Sequence, residues 1–274
     1  MEQLALPGGK NGTLEVTAEG IQYKRYLSVF NRTVKYPPVA GGGEEKSIDF
    51  DVVGHPRCHF KFGVIFPYHP QQEPSNGDPP PPEEEPSDGE RVSNRDEATE
   101  DSVDGEEEDA GAGDCGGDGV DMELRGSVTL IREYCQGPNS MNYSLPTGGF
   151  DPRKHANMED CVSSELTEEA HLVPSSDIIR LIPSNHPGIP ESKWCLNRFV
   201  PFLSIDPQPD PNPPPRDAEE IIEVVRVDIS ELEGLMLSGD MMPPSIVTCT
   251  AALKYLNEHQ KGNKRKRVNQ TPSQ

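Results

Sequence analysis

The chain has 274 residues, enough for one or two domains, but only 32% are hydrophobic and it carries 29 prolines and 25 glycines, so any core must be concentrated in part of it. The formal charge of -22 is local: residues 71–124 hold 20 acidic and 2 basic residues, while the remainder, at -4, offers no basic surface for nucleic acid. No apolar run approaches the ~20 residues of a membrane span. Residues 1–10 lack the basic and apolar regions of a signal peptide, and the six scattered cysteines show no metal spacing. The expectation is a soluble intracellular, cytoplasmic protein with free thiols, without nucleic-acid or membrane partners.

In chain order, residues 1–12 are expected to be a flexible terminus, and residues 13–66 a run of strands. Leu14–Gln22 alternates apolar and polar residues, and Tyr26–Lys35, YLSVFNRTVK, is rich in aromatic and β-branched residues. After a turn containing Gly41–Gly43, Ser47–Val53 alternates again and Phe60–Phe66 supplies a fourth strand. Residues 67–124 then carry PPPPEEE, GEEED and almost no large apolar side chains. They cannot bury enough surface to offset chain entropy and are expected to be a disordered acidic insertion. Closure entropy grows only logarithmically, so a sheet tolerates such an insertion. Ser87, Ser93 and Ser102 within it are phosphorylation candidates.

Residues 125–260 are expected to be the second part of the folded domain. Ser127–Tyr134 alternates as a strand and leads through Gly137-Pro138 to Tyr143-Ser144-Leu145. Further strands are expected at Ile178–Pro183, Trp194–Ser204 and, after a proline-rich loop, Ile221–Val227. Ser230–Ser238 reads as a helix with Ser230 as N-cap and Glu233 at the capping-box position. The last helix, Ser245–His259, would turn Val247, Ala251, Leu253 and Leu256 inward. Residues 261–274 form a basic, flexible tail whose Lys264–Arg267 run is a nuclear-import candidate.

The chemistry concentrates in Leu145–Leu172. Its Pro-Thr-Gly-Gly turn ends any preceding strand, and Asn157 is a good N-cap with Asp160 in the first helical turn. Val162, Leu166 and Ala170 recur at helical spacing as a buried stripe, while Glu165 and Glu169, four apart, stack on a second face with Glu168 beside them. Three carboxylates so close repel one another. Mg2+ would remove that penalty, because hard cations take oxygen ligands and pair with phosphate oxygens. The competing account is a solvated acidic face on an ordinary amphipathic helix.

This stretch resembles the Nudix box, G-x5-E-x7-R-E-U-x-E-E-x-G-U, where U is a bulky apolar residue. Gly149 matches the opening glycine if the loop takes one extra residue, and Glu165, Leu166, Glu168, Glu169 and Leu172 match the second half without gaps. Ser164 stands where the family has arginine, His171 where it has the helix-ending glycine, and His155 or Ala156 where it has the first glutamate. Serine cannot reach the glutamates as arginine would. A histidine in the left-handed backbone of a helix end costs roughly 1 kcal/mol more than glycine. The flanks YLSVFNRTVKYP, SIDFDVVGHP, SVTLIREYCQG and AEEIIEVVRVDISELEGLMLSGDMMPPSIVTCTAALKYL resemble, in order, the ADP-ribose and UDP-sugar pyrophosphatase branch.

The resemblance implies an α/β Nudix fold: a mixed, mostly antiparallel sheet sandwiched by helices, with the box at 149–172. It implies an Mg2+-dependent (or Mn2+-dependent) pyrophosphohydrolase that cleaves a nucleoside diphosphate sugar to a nucleoside monophosphate and a sugar phosphate. Glu165 and Glu169 would be the principal metal ligands, with Glu168 assisting and the Gly148 carbonyl as a further ligand. The catalytic set would be Glu168, Glu169 and an acid after the proline-rich loop, where Asp217, Glu219 and Glu220 compete and Glu220 is carried forward. Arg132 and Glu133 would contact substrate, arginine because its planar fork binds two diphosphate oxygens. Tyr26 and Phe30 are either base-stacking or core aromatics. His155 and His171 are expected to be exposed. Members of the branch are commonly homodimers. The runner-up reading is a catalytically silent Nudix module that binds a nucleotide or a protein partner.

Overall fold

The computed structural model describes residues 14–36, 44–71, 124–214 and 221–268, with side chains through His259. Its strands are β1 (Glu15–Lys24), β2 (Ser28–Tyr36), β3 (Lys46–Gly54), β4 (Lys61–Pro70), β5 (Gly126–Cys135), β6 (Ser140–Ser144) and β7 (Thr147–Gly149). After helix α1 (Met158–Ala170) come β8 (Leu172–Val173), β9 (Ile179–Arg180), β10 (Ile189–Pro190), β11 (Arg198–Ile205), β12 (Gln208–Pro209) and β13 (Ile222–Asp228). Helices α2 (Ile229–Leu237) and α3 (Pro243–Val268) end the series.

Alternation sorts the first three strands into an antiparallel sheet with unlike faces. Register aligns Val16, Val34 and Ile48 in one row and Ile21, Phe30 and Val52 in another, with Arg32 between them and opposite Glu19 and Phe50. The other face is polar over most of its length, where Asn31 bonds Asp51, Thr33 bonds Asp49, and Lys35 pairs with Glu15 and Glu45, and carries Tyr23, Val29 and Val53 at one end.

The main sheet runs β10-β11-β4-β5-β13, with β6 on β5, β7 on β4 and β9 on β11. All its pairs are antiparallel except β4–β11. Strand β4 alternates its buried side chains between two layers. Ile65, with Val200 and Phe202 of β11, packs against Val162, Leu166 and Ala170 of α1. Val64 and Phe66, with Val128, Leu130 and Leu203, pack against Leu232 of α2 and Cys249, Ala252 and Leu256 of α3. The sheet is therefore sandwiched between α1 and the two C-terminal helices, a mixed, mostly antiparallel α/β architecture. Gly63 lets α1 sit close on β4, because a Cβ there would collide with Val162.

Several boundaries differ from the sequence reading. The fourth strand does not stop at Phe66. Tyr68 and His69 are buried and pair with Val128 and Ser127, so residues 67–70 belong to the sheet rather than to the insertion. Pro67 and Pro70 mimic a stop that the buried pair between them overrides. At the other end Leu124 is buried in the core. Only Ile179–Arg180 of 178–183 is strand, and only Arg198–Ile205 continues the segment that begins at Trp194. Trp194 stands 63% exposed in a loop tied to β3 through Val53.

Helix α2 starts directly from β13. Its N-cap is Asp228, held extended by pairing with Ser127 and making no side-chain cap bond, so Ser230 is not the cap. Helix α3 continues to Val268, past His259, and Val247 is exposed while Ser245, Thr248, Cys249, Ala252 and Leu256 face inward. The expectations for 1–12, for 72–123 with Ser87, Ser93 and Ser102, and for the last residues of the tail lie outside the described residues. Among the described residues no helix is long and apolar enough to cross a membrane. Cys58, Cys135, Cys161, Cys195 and Cys249 are free thiols.

Candidate functional site

The site is built where β7, a three-residue strand, lies between β4 and α1. Gly149, Gly148 and Thr147 pair with Phe62, Gly63 and Val64, and Phe150 N donates to Lys61 O at 3.0 Å. The following loop closes on Asp151, whose carboxylate accepts both Nε and Nη2 of Arg153 at 2.9 and 2.7 Å. That guanidinium holds the Asp151 carboxyl well below the usual carboxylate range. His155 Nδ1 accepts from Asp151 N at 3.2 Å.

Helix α1 then begins as its sequence dictates. Asn157 Oδ1 accepts from Asp160 N at 2.7 Å, and Asp160 Oδ2 accepts from Ala156 N at 3.0 Å, a reciprocal cap. Glu159 and Asp160 suit the positive end of the helix dipole. The helix ends at His171, φ 56°, whose N–H returns to Thr167 O at 3.2 Å.

Three glutamates of α1 meet three environments. Glu169 is buried, 8% exposed, with Oε2 accepting from Thr147 N at 2.8 Å. Glu165 is half-buried and its carboxylate lies over Gly148, where a Cβ would strike it. Glu168 is exposed. Cys161, fully buried, places Sγ 3.6 Å from the Gly148 carbonyl, and burial, with the Glu165 and Asp160 charges, pushes its thiol up to about 12. Gly148 thus has its α-carbon against one carboxylate and its carbonyl against a thiol donor.

Arg132 and Glu133 lie on β5, opposite Tyr143 and Asn142 of β6 and opposite Glu223 and Ile222 of β13. Glu133 Oε1 accepts from Ser144 Oγ at 2.9 Å, three residues before Thr147, which carries the amide bonded to Glu169. Arg132 Nη1 reaches Glu223 Oε2 at 3.3 Å, its guanidinium lies 5.8 Å from the Tyr143 ring centroid, and its buried Nε has no partner among the described residues. The Asp217, Glu219 and Glu220 group lies outside the described residues. Tyr26 is 70% exposed with its ring against His55, whereas Phe30 is buried edge-on to Phe60 and belongs to the core. His155 and His171 are half-buried, which corrects their expected exposure; His171 Nε2 is buried without a partner among the described residues.

The donor set of Glu165, Glu169 and the Gly148 carbonyl is all oxygen, the chemistry Mg2+ or Mn2+ takes. Among the described residues no group of three or more His, Cys, Asp or Glu side chains gathers as a metal cage. Two carboxylates and a carbonyl still fit Mg2+, which keeps several waters and relies on substrate phosphates for the rest of its shell.

The glutamate spacing was legible in the sequence. The contacts of Thr147 N, Ser144 and Glu223 were not, because each depends on elements meeting across 11 to 91 residues.

No protein-family model matches the chain, and no curated protein matches it in sequence. Solved structures do match: a crystal structure of an ADP compounds hydrolase aligns with a TM-score of 0.54 at 13% identity, over 90% of this chain and 96% of that one. The likeness shows the fold, which is Nudix-like.

Proposed function

We propose that the chain is a divalent-metal-dependent pyrophosphohydrolase of nucleoside diphosphate sugars, of the ADP-ribose or UDP-sugar type. One observation carries the reading: Glu169, buried on α1, is held on the Thr147 amide beside the Gly148–Glu165 contact. A buried carboxylate fixed by a backbone donor, next to a second carboxylate, is a rigid oxygen site rather than a solvated helix face. The aligned ADP compounds hydrolase supports the same substrate class.

Water attacks one phosphorus of the diphosphate, the P–O–P bond breaks, and a nucleoside monophosphate and a sugar phosphate leave. Mg2+ or Mn2+, held by Glu165, Glu169 and the Gly148 carbonyl with Glu168 assisting, would neutralise charge on the phosphate oxygens and lower the pKa of water. Glu169 keeps its orientation through Thr147 N, which does for it what an arginine at the Ser164 position does in the family pattern. Arg132 carries the positive fork for the diphosphate, braced by Glu223 and Tyr143. Glu133 sets the start of the turn through Ser144. Glu220, or its neighbours Asp217 and Glu219, serves as base toward the attacking water.

Purified protein with Mg2+ should release AMP or UMP from a panel of such substrates and lose that activity with chelator. Glu169→Gln keeps an oxygen for Thr147 N but removes the charge, so it should fold normally and lose at least about 100-fold in kcat. An inactive wild type on the whole panel would remove the proposal.

The second reading, a silent module for a nucleotide or protein partner, draws on Ser164 and on the lack of a three-side-chain cage among the described residues. It predicts ligand-induced thermal stabilisation that survives both Glu169→Gln and chelation. A homodimer, also implied by the family resemblance, completes the proposed assembly.

A further inference from the structure

The segment from Tyr143 to Phe150 bonds Glu169 and lies against Glu165, and nearly every polar backbone group in it has a partner. Pro146 O accepts from Ile65 N at 3.1 Å, Thr147 N donates to Glu169, and Gly148 O faces the Cys161 thiol. Leu145 O accepts from Thr147 Oγ1 at 2.6 Å. The start of the segment is held from elsewhere. Tyr143 N donates to Asp240 O at 2.7 Å, and Tyr143 O accepts from Met242 N at 3.0 Å, in the connection between α2 and α3. Leu145 N donates to the hydroxyl of Ser245, in the first turn of α3, at 2.9 Å. Ser245 is 2% exposed and Leu145 is fully buried, so neither end of that bond has water as a substitute.

We infer that Ser245 is a positioning residue for the site: its hydroxyl fixes the Leu145 amide and with it the register of Thr147 and Gly148 against Glu169 and Glu165. The inference rests on the proposed metal-dependent reading for its consequence, but the hydrogen bond itself does not. Thr248, one turn on and fully buried, supplies the contrast, since its hydroxyl closes on Pro244 O within α3 rather than on the segment. If the C-terminal helices served only as packing, removal of either hydroxyl would act alike.

The test compares Ser245→Ala, Ser245→Thr and Thr248→Val in the full chain. Amide hydrogen exchange over residues 145–149 and Mn2+ affinity by calorimetry are read beside kcat. Ser245→Ala should speed exchange at Leu145 and Thr147 by about 10-fold or more, relative to Thr248→Val. It should weaken Mn2+ binding by a similar factor and lower kcat with KM little changed, as expected for misplaced rather than missing groups. Ser245→Thr, which keeps the hydroxyl, should restore all three. Exchange in Ser245→Ala equal to that in Thr248→Val overturns the inference, as does faster exchange with unaltered Mn2+ affinity. A wild type that binds no Mn2+ and turns nothing over removes the proposed function, and exchange alone then decides whether Ser245 holds the segment.

Discussion

His171 carries a strain that its position makes measurable. At φ 56° it occupies the left-handed region where glycine is favoured, and its buried Nε2 has no hydrogen-bond partner among the described residues. The imidazole therefore contributes little to offset the backbone cost. His171→Gly should stabilise the fold by about 0.5–1 kcal/mol, after allowing for the greater freedom of glycine in the unfolded chain. The measurement is the urea midpoint, with His171→Ala as comparison, since alanine keeps the strain and should bring no gain. An unchanged midpoint for the glycine variant would mean that the helix end is not under strain. At the same scale, Glu169 takes its orientation from a main-chain amide, which no change of side chain at 164 removes.

At the scale of elements, β4 and β5 are joined by a buried His69, 7% exposed, with Nε2 2.8 Å from Thr129 Oγ1. Burial pushes its pKa down to about 4, with Arg226 adding to the effect and Asp206 opposing it. An unfolded histidine takes up a proton below about pH 6.5, while the folded one stays neutral down to about 4. This contribution is thus fully present above pH 6.5 and lost between 6.5 and 4, on the order of 3 kcal/mol in all. Urea midpoints for wild type and His69→Gln should converge as pH falls through that window; parallel curves would refute the assignment.

Nothing in hydropathy marks His69, because two prolines flank the pair it forms with Tyr68. Helix α3 hid its inward face in a related way. Ser245 and Thr248 look like surface residues until their hydroxyls are seen to be bonded, and apolar Val247 took their place in the periodic pattern. Helix α1 was legible because its cap, its Val162–Leu166–Ala170 stripe and its glutamates all repeat locally. The pairing of β4 with β11, parallel and about 137 residues apart, has no local signature.

For the molecule as a whole, the three-stranded sheet poses the remaining question. Its Val16–Val34–Ile48 and Ile21–Phe30–Val52 rows share one face with Phe50, and Val16, Ile21, Ile48 and Phe50 are 38–57% exposed. The opposite face is polar over Asn31, Thr33 and Lys35, with Tyr23, Val29 and Val53 at one end, so the first face is the more apolar one and the one a sheet of this kind buries. A three-stranded sheet gains its stability from a covered hydrophobic face, and among the described residues the chain covers the Phe30 end. A second copy meeting the first across a two-fold axis would match these rows with themselves, and the central Glu19–Arg32 pair would sit among them already neutralised. The full chain should therefore sediment as a dimer at micromolar concentration. Ile21→Glu with Phe50→Glu should give a folded monomer, whereas Thr33→Glu, on the polar face, should leave the dimer intact. A monomeric wild type, or a dimer indifferent to both apolar-face changes, would show that the face is covered by something other than its own copy.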